Sequence, residues 1–347
     1  MGGDARNRPS RRRFVEAAFG RPVDRPPVWL MRQAGRYLPE YREVRKRLKF
    51  LDLCADVPSA IEVTLQPFRR FAMDGIVIFS DILIPLPAMG LGIRLDEGGP
   101  EIPEPVRTGA DVERLHGFDP EKETSFVLEI HRGLKREVHD EAATIGFCGA
   151  PWTLATYAVE GGGSKSFPAV KTLMHRDPAV LEALLAKLAD AVGDYLAAQI
   201  RAGADVVQVF DTWAGELSRA DYDRFARPAT ERLIARLPRR GEVPVILFAS
   251  GSSHLVDSFA KMPVDVVSVD WKLPLDEARR RAPGKALQGN VDPGVLLGTP
   301  EGVTAAVLAA RRAAGPVGHI VNLGHGILPP TPPENVAAFV SAARLPL

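Results

Sequence analysis

Eight short runs rich in β-branched residues recur along the chain, each separated from the next by helical patterning, and no other feature narrows the fold so far. They are PVWL (27–30), GIVIFSD (75–81), ATIGFCG (143–149), ADVVQVFD (204–211), PVILFAS (244–250), VDVVSVD (264–270), KALQGNVD (285–292) and HIVNLGHG (319–326). Continuous apolar runs of this kind suit strands covered on both faces, as in a parallel sheet. Between them lie VPSAIEVTLQPFRRFA (57–72), PAVLEALLAKLADAVGDYLAAQIRAG (178–203) and TPEGVTAAVLAARRAAG (299–315), whose early Pro marks the starts and, in the last two, closing Gly the stops. Strands and helices alternating eight times predict an α/β fold, a single (β/α)8 TIM-type barrel over residues 1–347. An open doubly wound sheet fits less well, because no Rossmann glycine fingerprint follows the first strand.

Composition limits the function. The 347 residues carry 44 Lys and Arg against 43 Asp and Glu, so the net charge of +1 argues against broad nucleic-acid binding. Any positive field is therefore local. Only Cys54 and Cys148 are present, too few for a disulfide framework or a four-thiolate zinc site. No apolar run reaches the ~18 residues of a membrane span, and the start RNRPSRRRFVEAAFG has no apolar segment of signal-peptide length. A cytoplasmic protein is expected, with a basic N-terminal extension of about 12 residues leading into the first helix.

In a barrel of this type the active site forms at the C-terminal strand ends. Just past each run stand Arg32, Asp81, Gly149, Asp211 with Thr212, Ser250, Asp270, Asn290 with Asp292, and Asn322 with His325. Two arginines on the first loop, Arg32 and Arg36, predict an anionic small molecule, and the carboxylates and neutral groups would take its other parts. Ion pairs to Glu40 or Glu43 are the plainer use of those arginines, and helix capping is the plainer use of Asp292 and Ser250. Asp81 is harder to explain structurally, because SDILIPLPAMG continues as an apolar, proline-broken loop.

Familiar catalytic constellations are missing. GGGSKS (161–166) lacks the glycine directly before the lysine that a phosphate loop needs, and reads as a lid over the mouth. SGSSHL (250–255) is no nucleophile elbow. The seven histidines are scattered, without a metal-ligand spacing. No cofactor and no metal are expected, so the chemistry would come from positioning, electrostatics and proton transfer.

PVWLMRQAGRYLPEYR (27–42) and IGFCGAPWTLATYAVEGGGSK (145–165), with FSDIL, FDTWAG, LQGNVDP and NLGHGI in order, resemble the uroporphyrinogen decarboxylase family from about residue 13 to the end. The resemblance implies a cofactor-free barrel, usually a homodimer. Its substrate is uroporphyrinogen, a reduced tetrapyrrole with four acetates and four propionates, and it removes CO2 from each acetate. By the same resemblance, Arg32, Gln33 and Arg36 meet the substrate, and Asp81 accepts hydrogen bonds from the pyrrole N–H groups. Tyr157 stands near Asp81 and the reacting acetate, while Thr212 and His325 contact peripheral carboxylates or the ring edge. Arg32, Asp81 and Tyr157 are the expected catalytic residues. The proton donor stays open among Arg32, a protonated carboxylate, His325 and water.

Two departures from the family pattern are visible. Thr212 stands where the family usually has serine, which keeps the hydroxyl but stiffens χ1. FASGSSHL replaces a lysine-and-glycine stretch. Two other readings compete: a tetrapyrrole carrier without catalysis, and a related cobamide-linked methyltransferase barrel. The latter needs a His-x-Cys pair, which the QGNVDP stretch lacks.

Overall fold

The computed structural model describes residues 9–96 and 99–347. Of the basic extension expected at the start, residues 1–8 lie outside the described residues. Among the described residues nine strands are present: β1 (Gly75–Val77), β2 (Arg94–Asp96), β3 (Gly99–Glu101), β4 (Ala143–Gly149), β5 (Val206–Phe210), β6 (Val245–Phe248), β7 (Val266–Ser268), β8 (Ala286–Val291) and β9 (His319–Leu323). Seven form one parallel sheet in the order β1-β4-β5-β6-β7-β8-β9, and β2 and β3 form a separate antiparallel hairpin. The hairpin is a correction to the sequence expectation, which had no strand between residues 82 and 142.

A closed ring of eight strands was expected, but the hydrogen-bonded sheet holds seven and curls into a half-barrel, open between β9 and β1. The run 27–30 contributes only an isolated parallel bridge, Val28 to Val321. The reason is local: Pro26 and Pro27 have no N–H to give to a ladder, and the chain turns at Leu30, whose carbonyl accepts from Gln33 N at 3.1 Å.

Three aspartates repeat one contact at the N-terminal strand ends. The N–H groups of Asp74, Asp205 and Asp265 donate to the carbonyls of Val28, Thr144 and Val245, each at 2.9 Å. In return their carboxylates accept from the N–H groups of those same residues at 3.0, 3.0 and 2.8 Å. Each clamp fixes a neighbouring pair of chain segments in register. Arg25 and Arg13 neutralise the fully buried Asp74, and Lys135 and Arg11 neutralise Asp205. Conserving charge balance there is a matter of stability, since this is the face away from the strand ends that carry chemistry.

Helix Ser10–Ala18 closes that same face, with Phe14 and Ala18 packed into the apolar lumen beside Trp29, Ile145, Ile246 and Ile320. Gly75 makes the room: a Cβ there would stand 2.6 Å from the Phe14 ring. Above this layer a polar ladder crosses the lumen. Trp29 Nε1 donates to Gln288 Oε1 at 2.9 Å, and Gln288 Nε2 donates to Gln208 Oε1 and Ser268 Oγ at 2.9 and 3.0 Å. These buried polar groups are satisfied by one another, which fixes the segment carrying Met31 and Arg32 over the sheet.

The outer helices follow their sequence signals closely. Val57–Phe71 starts where Asp56 accepts from Ser59 N, Pro178–Ala202 ends at Gly203 with φ +119°, and Pro300–Ala314 starts on Thr299 and ends at Gly315. Among the described residues no helix is long and apolar enough to cross a membrane.

Candidate active site

The first loop leaves the lumen through an unusual backbone. Arg32 has φ +62°, a left-handed conformation that non-glycine residues rarely adopt. Three contacts hold it there: Met31 N donates to Asn322 Oδ1 at 3.1 Å, Ile327 N donates to Met31 O at 3.0 Å, and Gln33 N closes onto Leu30. Gly35 must lack a side chain, because its Cβ would meet Arg32 O at 2.9 Å. The Arg32 side chain is exposed and makes no hydrogen bond or ion pair among the described residues.

Gln33, beside it, is fully buried. Its amide nitrogen donates to Gly75 O at 3.3 Å and its oxygen accepts from Leu30 N at 3.2 Å, so its side chain ties the loop to β1. Arg36 lies farther out and is exposed. The acids that would have neutralised it are engaged elsewhere, Glu40 with Arg70 and Glu43 with Lys46. Its guanidinium is left facing solvent, as an anion-binding arginine would be.

Asp81 follows β1 and is half-buried. Oδ1 accepts from Leu83 N at 2.8 Å, which caps the turn leading to the short helix Pro85–Ala88. Oδ2 has no hydrogen-bond partner among the described residues. Burial pushes the carboxyl pKa up, while the Leu83 N–H and the charge of Arg32 pull it down. The site thus holds a carboxylate whose ionised form depends on its neighbours.

Tyr157 projects from helix Pro151–Glu160 and is half-buried, its ring 6.4 Å from that of Trp213 at 60°. Burial pushes its phenol pKa up, and the charges of Asp81 and Arg32 act on it in opposite directions. His325 sits after β9, its ring 5.5 Å from Phe248 and edge-on to it. Burial lowers its pKa to about 4, helped by the Arg32 charge and opposed by Asp270. Gly326 N donates to His325 Nδ1 at 2.7 Å, so Nδ1 is bare and Nε2 carries the proton of a neutral ring. Arg32 therefore lies within electrostatic reach of Asp81, Tyr157 and His325, and Asp81 within reach of Tyr157.

Thr212 is half-buried between Asp211 and Trp213, its carbonyl accepting from Ser250 N at 3.4 Å. Asp211 is fully buried. Oδ1 accepts from Thr153 Oγ1 at 3.0 Å, Thr153 Oγ1 accepts from Trp213 N at 3.2 Å, and Oδ2 has no partner. Burial raises this carboxyl to about 7, against the Thr153 hydrogen bonds. Trp152 Nε1 holds the other side of Trp213, at its carbonyl, 3.1 Å away. Two side chains of the helix that carries Tyr157 thus fix the turn that carries Thr212. Trp213 and Thr153 escaped the sequence reading, although FDTWAG and PWTLATY already held both.

The remaining strand-end groups knit loops. Asp270 accepts from Gly251 N and Lys272 N, and Asn290 Nδ2 donates to the carbonyls of Asp270 and Leu273. Asp292 caps the turn at Gly294, as its expected plain use required, whereas Ser250 makes no side-chain hydrogen bond among the described residues. The glycine-rich loop is tied at its start, Gly162 bridging to Glu101 of β3, and Phe167 at its end lies 5.2 Å from the Trp213 ring. Lys165 on that loop is exposed. Among the described residues no three His, Cys, Asp or Glu side chains cluster so as to hold a metal ion.

The chain matches the family model described as uroporphyrinogen decarboxylase over residues 9–345. Curated relatives of that name include one from Nostoc punctiforme, 47% identical over 336 residues covering 95% of each chain. Another, from Myxococcus xanthus, is 48% identical over 333 residues and covers 96% of this chain and 95% of its own. Among solved structures, a methyltransferase from Methanosarcina mazei superposes with a TM-score of 0.80 over 97% of this chain and 98% of its own at 19% identity, a likeness of fold alone.

Proposed function

The chain belongs to the uroporphyrinogen decarboxylase family, and from that premise we propose how its strand-end groups divide the work. The enzyme is a carboxy-lyase of porphyrin and haem biosynthesis: it converts uroporphyrinogen III to coproporphyrinogen III by removing CO2 from the four acetate side chains. The observation that carries the assignment of roles is the reach of Arg32 to Asp81, Tyr157 and His325, with Arg36 unpaired among the described residues.

An arylacetate cannot lose CO2 directly, because the electron pair left behind has nowhere to go. Protonating the pyrrole carbon next to the acetate-bearing carbon makes the ring a cation and an electron sink. The C–CO2 bond then breaks, its electron pair forms an exocyclic methylene, and the ring is neutral again. A proton added to the methylene carbon gives the methyl, and loss of the first proton restores the pyrrole. Each cycle consumes one proton and one carboxylate and releases one CO2. Asp81 Oδ2 accepts from the pyrrole N–H groups and stabilises the cation as it forms, so it binds the transition state better than the ground state. Arg32 holds the reacting acetate and keeps Asp81 ionised, Tyr157 fixes their spacing, and Gln33 acts through the loop it anchors. Thr212 and His325 Nε2 donate to peripheral carboxylates. A neutral His325 with a bare Nδ1 stores no proton, which favours water or a protonated substrate carboxyl as the acid.

Arg36 clamps a peripheral carboxylate through a charge-assisted hydrogen bond, worth roughly 1.5–3 kcal/mol. Arg36→Ala is expected to raise KM about tenfold or more and to leave kcat within a few fold. A fall in kcat with KM unchanged would assign Arg36 to the chemistry instead.

The residues 1–347 are read as one catalytic unit, a cytoplasmic homodimer that meets neither nucleic acid nor membrane. The run 27–30 serves as its eighth stave. The Asp74 clamp on Val28 supports this, being built like the clamps between β4 and β5 and between β6 and β7. Sedimentation would test the dimer. For the activity, chelator-treated protein is incubated anaerobically with uroporphyrinogen, and the oxidised porphyrins are separated by carboxyl count. Seven-, six-, five- and four-carboxyl species are expected in succession. An eight-carboxyl species bound tightly but unchanged would point to a carrier, and one neither bound nor changed would end the tetrapyrrole assignment.

A further inference from the structure

Gly326 lies directly under the arginine of the first loop. A Cβ built on it would stand 2.4 Å from Arg32 Cδ, 2.8 Å from Cγ and 2.9 Å from Nε. Carbon atoms in contact sit roughly 3.5–4.0 Å apart, so a methyl group cannot share this space with the arginine stem. Gly326 itself does not have a positive φ, so an alanine there would carry no left-handed strain. What the position requires is the absence of a side chain, and the three atoms nearest to where one would stand belong to one residue.

The backbone at Arg32 has little freedom to yield. Met31, just before it, is pinned by Asn322 and Ile327 on the β9 side, and the Gln33 to Leu30 turn spans it, which holds Arg32 in a left-handed conformation. A methyl group would have to turn the stem at its Cβ–Cγ or Cγ–Cδ bond, and a guanidinium on a stem so turned moves by several ångströms. The N–H of the same residue donates to His325 Nδ1. We infer that Gly326 is a positioning residue: its bare Cα seats the Arg32 stem toward Asp81 while its N–H sets the His325 ring, so one backbone unit aligns two groups of the site. This inference rests on the reading of Arg32 as a group that acts on the substrate acetate.

The test is a double-mutant cycle with Gly326→Ala, Arg32→Ala, the double variant and the parent enzyme, read as kcat and KM for uroporphyrinogen and as thermal midpoints. Gly326→Ala should lower kcat/KM at least tenfold, mostly in kcat, and should change it less than twofold when Arg32 is already Ala. Independent losses that multiply in the double variant would overturn the inference. Should Gly326→Ala alone fail to fold, recovery of the fold in the double variant supports the contact, and a double variant that also fails overturns it. A parent enzyme without turnover would refute the functional reading, while the cycle in thermal midpoints would still decide whether Gly326 and Arg32 are coupled.

Discussion

Replacing Asp81 by Asn should lower kcat by about 10²–10³ while KM for uroporphyrinogen changes only a few fold. The substitution keeps size and one acceptor oxygen, so Leu83 N can still be bound and the turn toward Pro85 kept. What it removes is the negative charge, whose largest use comes when the pyrrole ring becomes a cation. Loss of a purely ground-state contact would instead appear in KM with kcat intact, the result that would favour a carrier. A second consequence concerns stability. Burial raises the Asp81 pKa, so the folded protein holds the proton more tightly than the unfolded chain, and folding stability falls as pH rises through the interval between the two values. At neutral pH the ionised carboxylate is a cost to the fold, and Asp81→Asn should be at least as stable as the parent enzyme. Arg32 counters that cost by its charge, so Arg32→Ala should move the acid limb of the kcat/KM profile to higher pH.

The helices were legible because their ends carry chemistry of their own. Pro58, Thr299, Gly203 and Gly315 name the boundaries of three helices to within a residue or two. Seven strands were legible as β-branched runs, and ATIGFCG is strand over its whole length, although the other six keep cores shorter than their runs; GIVIFSD keeps only Gly75–Val77. PVWL misled because apolar pattern records burial, which Val28, Trp29 and Leu30 have in full, and not the ladder, which the prolines before them deny. The hairpin of β2 and β3 was invisible for the opposite reason: three-residue strands, one with Pro100 in its middle, are too short to alternate. At the site, polar residues past strand ends were found by position, yet position does not say where a side chain turns. Gln33 turns inward onto Gly75, and Trp213 beside Tyr157 and Gly326 beneath Arg32 are residues that position past a strand end does not single out.

Asp211→Asn should abolish much of a pH dependence of stability that the parent enzyme shows between about pH 4 and 7. The Asp211 carboxyl is raised to about 7 by burial, against an ordinary value of 3.8. Its native form therefore holds a proton that the unfolded chain has released throughout that interval, and stability contributed below pH 4 is lost progressively until pH 7. A shift of this size corresponds to about 4 kcal/mol at most, by the conversion of 1.36 kcal/mol per pKa unit. Other buried groups act the other way. His131, His319 and His325 are each lowered to about 4, so the unfolded chain binds their protons more readily and stability gained from them rises with pH up to the ordinary histidine range. The total curve mixes both signs, and the difference between parent and variant isolates Asp211. Asn keeps an oxygen for Thr153 and has no proton to lose. Urea denaturation at pH 5 and pH 8 should show the variant gaining on the parent enzyme by about 2–3 kcal/mol at the higher pH, with turnover changed much less than in Asp81→Asn. A difference that stays constant between the two pH values would mean that the Asp211 carboxyl titrates in the ordinary range, with its second oxygen reached by water.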